Sequence, residues 1–275
     1  MNDLSSTTEP AAPATTQGTT QGIPQATAPA LPVIERVRHE LKRRTLTVRT
    51  VEYVTPQMLR ITLTSDDLGD FASASADDHI KIFPPNGDRE PEGRDYTPRY
   101  FDTDDRTLVL DFAIHEAGPA TAWAIEAKPG TTLPIGGPRG SAVVSGVNSW
   151  LLIGDETALP AIGRRIEEAG ENDSFIVIAA VAGPEEEQRF ETKARVDIRW
   201  VHRPLSKAAD AAPLVEALSA VETIPAGTFA WIAAEASVAR AVRADLTENR
   251  GHPLPWLKAA GYWTKGKADA AEKDV

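Results

Sequence analysis

The chain has 275 residues, is 41% hydrophobic, and carries a formal net charge of −11 with no cysteine. That length suits two modest domains with packed cores. The acidic balance argues against general nucleic-acid binding, and the lack of cysteine excludes disulfides, thiolate nucleophiles and cysteine-ligated zinc or iron–sulfur centres. The five histidines (His39, His79, His115, His202, His252) are scattered and show no metal-ligand spacing.

Residues 1–32 are rich in Thr, Ala, Pro and Gln and lack aromatics, so a disordered tail is expected. The tail has no basic start followed by an apolar run, and no stretch approaches the ~20 apolar residues of a membrane helix. A soluble cytoplasmic protein without membrane insertion is expected. From Val33 the texture changes. Leu46–Val51 and Leu59–Thr64 alternate apolar and polar residues, the period of half-buried strands. Asp66–Asp70 reads as a turn, and His79–Phe83 as another strand, stopped by Pro84-Pro85-Asn86-Gly87.

Next comes Arg94-Asp95-Tyr96-Thr97-Pro98-Arg99. Pro98 biases Thr97 toward extended backbone. Alternation then puts Arg94, Tyr96 and Pro98 on one face and Asp95, Thr97 and Arg99 on the other. A fixed cation, a planar ring and a hydroxyl suit a flat, phosphate-bearing cofactor; the same string also suits an ordinary strand with a surface arginine. Asp104-Asp105 turns the chain into a strand over Thr107–Ile114. Short strands at regular intervals point to a small antiparallel barrel. After them, Gly118-Pro119 opens an Ala-rich helix with Pro at a favoured first position. Its free N–H groups form an anion site, or the helix crosses the barrel end with nothing bound. Lys128-Pro129-Gly130 turns, Gly136–Ser141 forms a loop, and a last strand runs near Ala142–Val144.

From Trp150 short continuous apolar runs alternate with helical segments. Leu151–Gly154, Phe175–Val181, Val196–Val201 and Thr228–Ala234 read as strands of a covered parallel sheet. Helices are expected from the Asp155–Ile162 stretch through about Ala169, over Pro213–Val221 and over Ser237–Asn249. Ligands of such a sheet sit at the carboxyl ends of its strands, which places Gly154, Asp155, Glu156, Thr157 and Glu235 at one rim. The G-x-G-x-x-G fingerprint is missing, so a looser nucleotide site is expected. Gly261-Tyr262-Trp263-Thr264-Lys265-Gly266-Lys267 is read either as a lid or as a strand that packs.

Taken together, the chain resembles the ferredoxin–NADP reductase superfamily and, within it, the siderophore-interacting proteins. The matching strings are His79–Pro84, Arg94–Arg99, His115 with Gly118–Ala124, Gly137–Ser141, Gly154–Ala161, Trp200–Arg203 and Gly261–Trp263, in the family's order. The resemblance implies an N-terminal antiparallel Greek-key β-barrel that binds FAD, followed by a Rossmann-like α/β nucleotide-binding domain. The expected partition is a tail over 1–32, a barrel over 33–145, an α/β domain over 146–255, and a C-terminal segment with a Gly-Tyr-Trp lid and charged tail over 256–275.

It also implies roles. Arg94 would pair with an FAD phosphate, Tyr96 would lie against the isoalloxazine, and Thr97 would reach its N5 region. Gly118, Pro119, Ala120 and Thr121 would hold the diphosphate, with His115 beside them. Gly154, Asp155, Glu156, Thr157 and Glu235 would line the site for NADH or NADPH, and Tyr262 and Trp263 would complete the cofactor pocket. Lys81 and Arg99 would face the flavin pocket on the siderophore side, with Lys265 and Lys267 as further cations. Thr264 stands where the family often has a basic residue. Glu185-Glu186-Glu187 favours a free ribose hydroxyl and hence NADH, while Arg189 and Arg203 leave the donor open. The implied activity is NAD(P)H-dependent reduction of a ferric siderophore by a monomer, with no catalytic acid or base and no nucleic-acid partner. A non-catalytic siderophore-binding protein and a general flavin or ferric reductase are the alternatives.

Overall fold

The computed structural model describes residues 29–85, 87, 90–114, 118–267, 272–273 and 275. The barrel half comprises β1 (Val33–Arg38), β2 (Arg43–Thr55), β3 (Met58–Thr64), β4 (Ile80–Ile82), β5 (Arg94–Tyr96), β6 (Pro98–Asp102), β7 (Thr107–Ala113), helix α1 (Pro119–Glu126), β8 (Thr132–Gly136) and β9 (Gly140–Ser145). The α/β half comprises β10 (Ser149–Gly154), α2 (Leu159–Glu167), β11 (Ser174–Val181), β12 (Arg195–His202), α3 (Ala212–Ser219), β13 (Thr228–Glu235), α4 (Ala236–Ala244), β14 (Leu257–Trp263) and β15 (Glu272–Lys273).

Seven strands form one sheet in the order β5-β4-β8-β2-β3-β7-β6. Its two edge strands, β5 and β6, are consecutive in the chain and are joined by Thr97 alone. The sheet therefore curls until its edges meet at Arg94–Arg99, and the barrel closes by covalent continuity rather than by a ladder. Pro98 has no N–H to donate, which suits an edge strand. Alternating residues fill the interior, among them Leu46, Ile61, Leu63, Ile80, Ile82, Leu110 and Phe112. Two strands lay outside the sequence reading. β8 contains Pro134 and ends in glycine, which hid its alternation, and β1 pairs with β9 as a separate ribbon.

The second sheet has the order β12-β11-β10-β13-β14-β15, parallel except for β15. β10 lies between β11 and β13, so successive connections leave it in opposite directions. The crevice at that switch point, outside the carboxyl ends of β10 and β13, is where such sheets bind ligands. α2 packs on the face toward the barrel, and α3 and α4 pack on the other. Val54, Ala113 and Val144 of the barrel join the α2-side core, so the two halves share apolar packing.

Gly154 ends β10 where the chain turns tightly into α2. A Cβ there would lie 2.4 Å from Ala158 Cβ and 2.7 Å from the Ala233 carbonyl oxygen. Gly154→Ala is expected to cost roughly 1–3 kcal/mol through overpacking, read as a lower midpoint in urea unfolding; an unchanged midpoint would show that the turn relaxes freely. The C-terminal segment is not a separate lid. Leu257–Trp263 is the fifth parallel strand, registered against β13, and a Cβ at Gly261 would come within 2.7 Å of Ala236 Cβ.

Candidate active site

The barrel seam and the α/β rim meet at one pair of hydroxyls. Thr97 is buried between β5 and β6, with the Tyr262 phenol near the end of β14 close enough to feel its hydroxyl. Burial pushes the Tyr262 phenol well above its ordinary pKa, and its ring packs edge-on against Trp231, centroids 6.0 Å apart. On the barrel side, the Tyr96 ring lies 4.5 Å from Phe112, and Phe112 lies 5.8 Å from Trp123 of α1. Burial likewise raises the Tyr96 phenol, so both tyrosines are neutral. Trp123 Nε1 is buried with no hydrogen-bond partner.

Arg94 follows Glu92-Gly93. Its Nη2 donates to Glu92 Oε2 (2.6 Å) and its Nη1 to the Gly93 carbonyl (3.1 Å). Gly118 caps α1 without a side-chain bond, and the space where its Cβ would stand is open. The first N–H groups of the helix, at Ala120 and Thr121, have no intrahelical acceptor, and Pro119 has no N–H to offer. His115 lies outside the described residues.

The register separates Lys81 from this face. Ile80 pairs with Tyr96, Lys81 with Asp95 and Ile82 with Arg94. Paired residues share a face, so Lys81 and Asp95 point outward while Arg94 and Tyr96 point inward. Lys81 Nζ lies 3.2 Å from Asp95 Oδ1. Arg99 departs further from the sequence expectation. It is buried between the domains, where Nη2 donates to Glu167 Oε1 of α2 at 2.6 Å and Nε lies 3.7 Å from Asp111 Oδ2. α2 passes so close that a Cβ on Gly163 would come within 3.1 Å of Arg99 Nη2. Arg99 is an interdomain ion-pair partner rather than a substrate-facing cation.

The acidic rim residues are also spent on structure. Asp155 Oδ1 accepts from the Thr157 backbone N–H (2.9 Å) and hydroxyl (2.5 Å). Its Oδ2 accepts from the Glu235 backbone N–H (3.0 Å) and from Trp263 Nε1 (2.9 Å). Asp155 thus ties β10, β13 and β14 together at their carboxyl ends. Glu235 caps α4 through the Ser237 and Val238 N–H groups and also accepts from the Lys265 N–H. Burial would raise the Glu235 carboxyl; these donors and the Ser237 hydroxyl outweigh it and lower the pKa. Glu156 accepts both terminal nitrogens of Arg203, at 2.8 and 2.7 Å. Its pKa is raised, mainly by burial, against the pull of Arg203. The carboxylates of Asp155, Glu156 and Glu235 at this rim are each engaged by other groups of the protein.

A cluster absent from the sequence reading locks the halves together. Asp77, in the loop before β4, accepts from Trp231 Nε1 (3.1 Å), Lys258 Nζ and the Ser75 hydroxyl (2.6 Å), with Arg165 Nη2 at 3.9 Å. Beside it Arg164 donates to the Ser73 hydroxyl (2.8 Å) and carbonyl (2.9 Å). The sequence signal was two adjacent arginines on an otherwise apolar helix face. Burial alone would raise the Asp77 carboxyl; Lys258, Ser75 and Arg165 instead hold it at about 2. The stability this gives is complete above the unfolded carboxylate value of about 3.9 and is lost as pH falls toward the folded one. Unfolding free energies of the wild type and Asp77→Asn should converge as pH falls from ~4 to ~2. A constant offset across that window would rule the assignment out.

An antiparallel barrel closed at an Arg-x-Tyr-Thr seam, with an uncapped helix beside it and a parallel α/β sheet behind, defines a two-domain flavin reductase class. The fold is shared with the ferredoxin reductase in carbazole 1,9a-dioxygenase, at TM-score 0.60 and 18% identity over 79% of this chain and 68% of that one. A family model described as the siderophore-interacting FAD-binding domain matches residues 47–92 and 83–142, and one described as siderophore-interacting protein matches residues 147–266. The chain is 33% identical to the NADPH-dependent ferric-chelate reductase of Escherichia coli (strain K12) over 83% of this chain and 96% of that protein. It superposes on a siderophore utilization protein from T. fusca with TM-score 0.81 and 31% identity, covering 87% and 98% of the two chains. The chain belongs to the siderophore-interacting protein family.

Proposed function

We propose that the protein is a flavin-dependent reductase that uses NAD(P)H to reduce ferric siderophores, releasing iron as iron(II) for the cell, and that it works as a cytoplasmic monomer. The observation that carries this reading is the Arg94–Thr97 closure of the barrel, with the open N-terminus of α1 packed near it through Trp123, Phe112 and Tyr96. The residues fit a flavin. The helix start and Arg94 supply donors for a diphosphate, and Tyr96 stands in a tilted ring cluster with Phe112 and Trp123. When bound, FAD takes a hydride from NAD(P)H and passes electrons singly to iron(III).

The protein's own task is positional. The neutral phenol of Tyr262 stands beside Thr97 at the seam, and Asp155 fixes the rim that carries Tyr262 and Trp263. Iron(III) prefers hard oxygen ligands and iron(II) holds them less tightly, so reduction is a release step. The similarity to the ferric-chelate reductase supports the activity. No helix among the described residues is long and apolar enough to cross a membrane.

Anaerobic mixing of the FAD-loaded protein with NAD(P)H, a ferric siderophore and an iron(II) chelator tests the reading. Chelated iron(II) should appear as the flavin reoxidises. Flavin turnover without chelated iron would favour a general flavin reductase, and failure to bind added FAD would leave a siderophore-binding protein on this fold.

Lys81 on the outer edge and Lys265 at the rim are the cations proposed to receive an anionic siderophore. Lys81→Ala should raise the KM for an anionic ferric siderophore several-fold, about a kcal/mol for an exposed charge, and leave that for the nicotinamide donor unchanged. Equal changes in both would remove Lys81 from the substrate side.

A further inference from the structure

A dinucleotide lying across the carboxyl ends of β10 and β13 sends its adenosine toward β11 and β12. The connection between those strands, residues 182–194, contains no helix beyond a single 3-10 turn at Pro184–Glu186. Four acidic residues lie on it, Glu185, Glu186, Glu187 and Glu191. Glu186 is buried in the domain seam, where Oε2 accepts from the Thr55 hydroxyl (2.5 Å) and the Gln57 N–H (3.1 Å). Glu185 and Glu187 remain exposed. Glu187 Oε1 lies 2.8 Å from His202 Nε2, at the carboxyl end of β12.

The neighbouring cation is committed elsewhere. A 2′-phosphate on this adenosine needs a guanidinium, and Arg203 follows directly after β12. Arg203 is only 5% exposed, and both its terminal nitrogens are on Glu156. Turning it toward a phosphate would leave the half-buried Glu156 carboxylate without its partner. Arg189 and Lys193 remain on this connection, two exposed cations against the exposed carboxylates of Glu185, Glu187 and Glu191.

A cleft of about 580 Å3 opens at the same place, with Trp200, Ile198, Phe190, Gln188 and Arg189 among its walls. Gln188 is buried and its Nε2 has no hydrogen-bond partner. An adenine ring offers a flat face to Trp200 and acceptor nitrogens to an amide donor.

We infer that this end is built for an unphosphorylated dinucleotide, NADH: adenine in the Trp200 cleft, the ribose hydroxyls on Glu187, and NADPH disfavoured because Glu185 and Glu187 face its 2′-phosphate while Arg203 stays locked to Glu156. The inference rests on the reductase reading but fails separately from it.

Isothermal titration of the FAD-loaded protein with NAD+ and NADP+ tests it by binding rather than turnover. NAD+ should bind at least ~10-fold tighter, about 1.4 kcal/mol. Glu187→Arg, an exposed change, should move that ratio at least ~10-fold toward NADP+. Trp200→Leu should weaken both ligands by a similar factor, roughly fivefold or more. NADP+ binding as tightly as NAD+ to the wild type, an unchanged ratio in Glu187→Arg, or unaltered binding in Trp200→Leu overturns the inference and leaves the reductase reading standing. A flavin-loaded protein that binds neither nucleotide overturns both.

Discussion

Asp77→Ala is expected to be the most destabilising single change at the domain junction. The carboxylate is buried and answers the Lys258 ammonium, the Trp231 indole and the Ser75 hydroxyl at once. Removing it strands the ammonium and the indole N–H in a region that solvent reaches poorly, and it takes from Arg165 its nearest carboxylate. Breaking a buried ion pair from one side costs about 3–5 kcal/mol. Lys258 keeps some access to water, its side chain being 28% exposed, so a value near the lower end, roughly 3 kcal/mol, is expected. In a chain of this size that lowers Tm by roughly 10 °C. The effect should be interdomain. Lys258→Met in the Asp77→Ala background removes the stranded charge and should recover part of the loss. A double variant no more stable than Asp77→Ala alone would show that the cost came from the loop and not from the unpaired ammonium.

That cluster also marks the boundary of what sequence patterns reveal. Strands such as Leu59–Thr64 and helices such as Pro119–Glu126 were legible because alternation and a Pro at the first helical turn are local signals. The continuous apolar runs Leu151–Gly154 and Phe175–Val181 announced a sheet covered on both faces for the same reason. The Asp77–Lys258 pair spans 181 residues of chain, and no local pattern encodes it. The rim shows a subtler limit. Asp155, Glu156 and Glu235 stand where a nucleotide domain keeps its polar residues, so position pointed to ligands. Their partners are other parts of the protein: Trp263, Arg203 and the first turn of α4. Arg99 failed as a substrate cation for a related reason. Beyond the bend at Thr97-Pro98 the chain belongs to the opposite edge of the sheet, which faces α2 rather than the pocket.

Arg94→Ala is expected to have the largest effect on function. Arg94 sits on β5 directly before the closure at Thr97, and its guanidinium is aimed by the Glu92 carboxylate and the Gly93 carbonyl. Charged hydrogen bonds of a guanidinium to phosphate contribute about 1.5–3 kcal/mol each. Losing two should weaken FAD binding by at least ~100-fold, leaving apoprotein after gel filtration. Arg94→Lys keeps the charge but not the planar fork, and should retain flavin to an intermediate degree. The barrel should survive both changes, because the apolar interior is built from Ile80, Ile82, Leu110 and their neighbours rather than from Arg94. Two measurements therefore separate the causes. A visible flavin spectrum reads cofactor retention, and urea unfolding of the apoproteins reads the fold. Loss of flavin with apoprotein stability within about 0.5 kcal/mol of wild type assigns Arg94 to the cofactor. Equal flavin retention in Arg94→Ala and wild type would remove Arg94 from the diphosphate site and leave the N-terminus of α1 to hold it alone. A parallel fall in stability would instead make Arg94 a structural residue of the barrel seam.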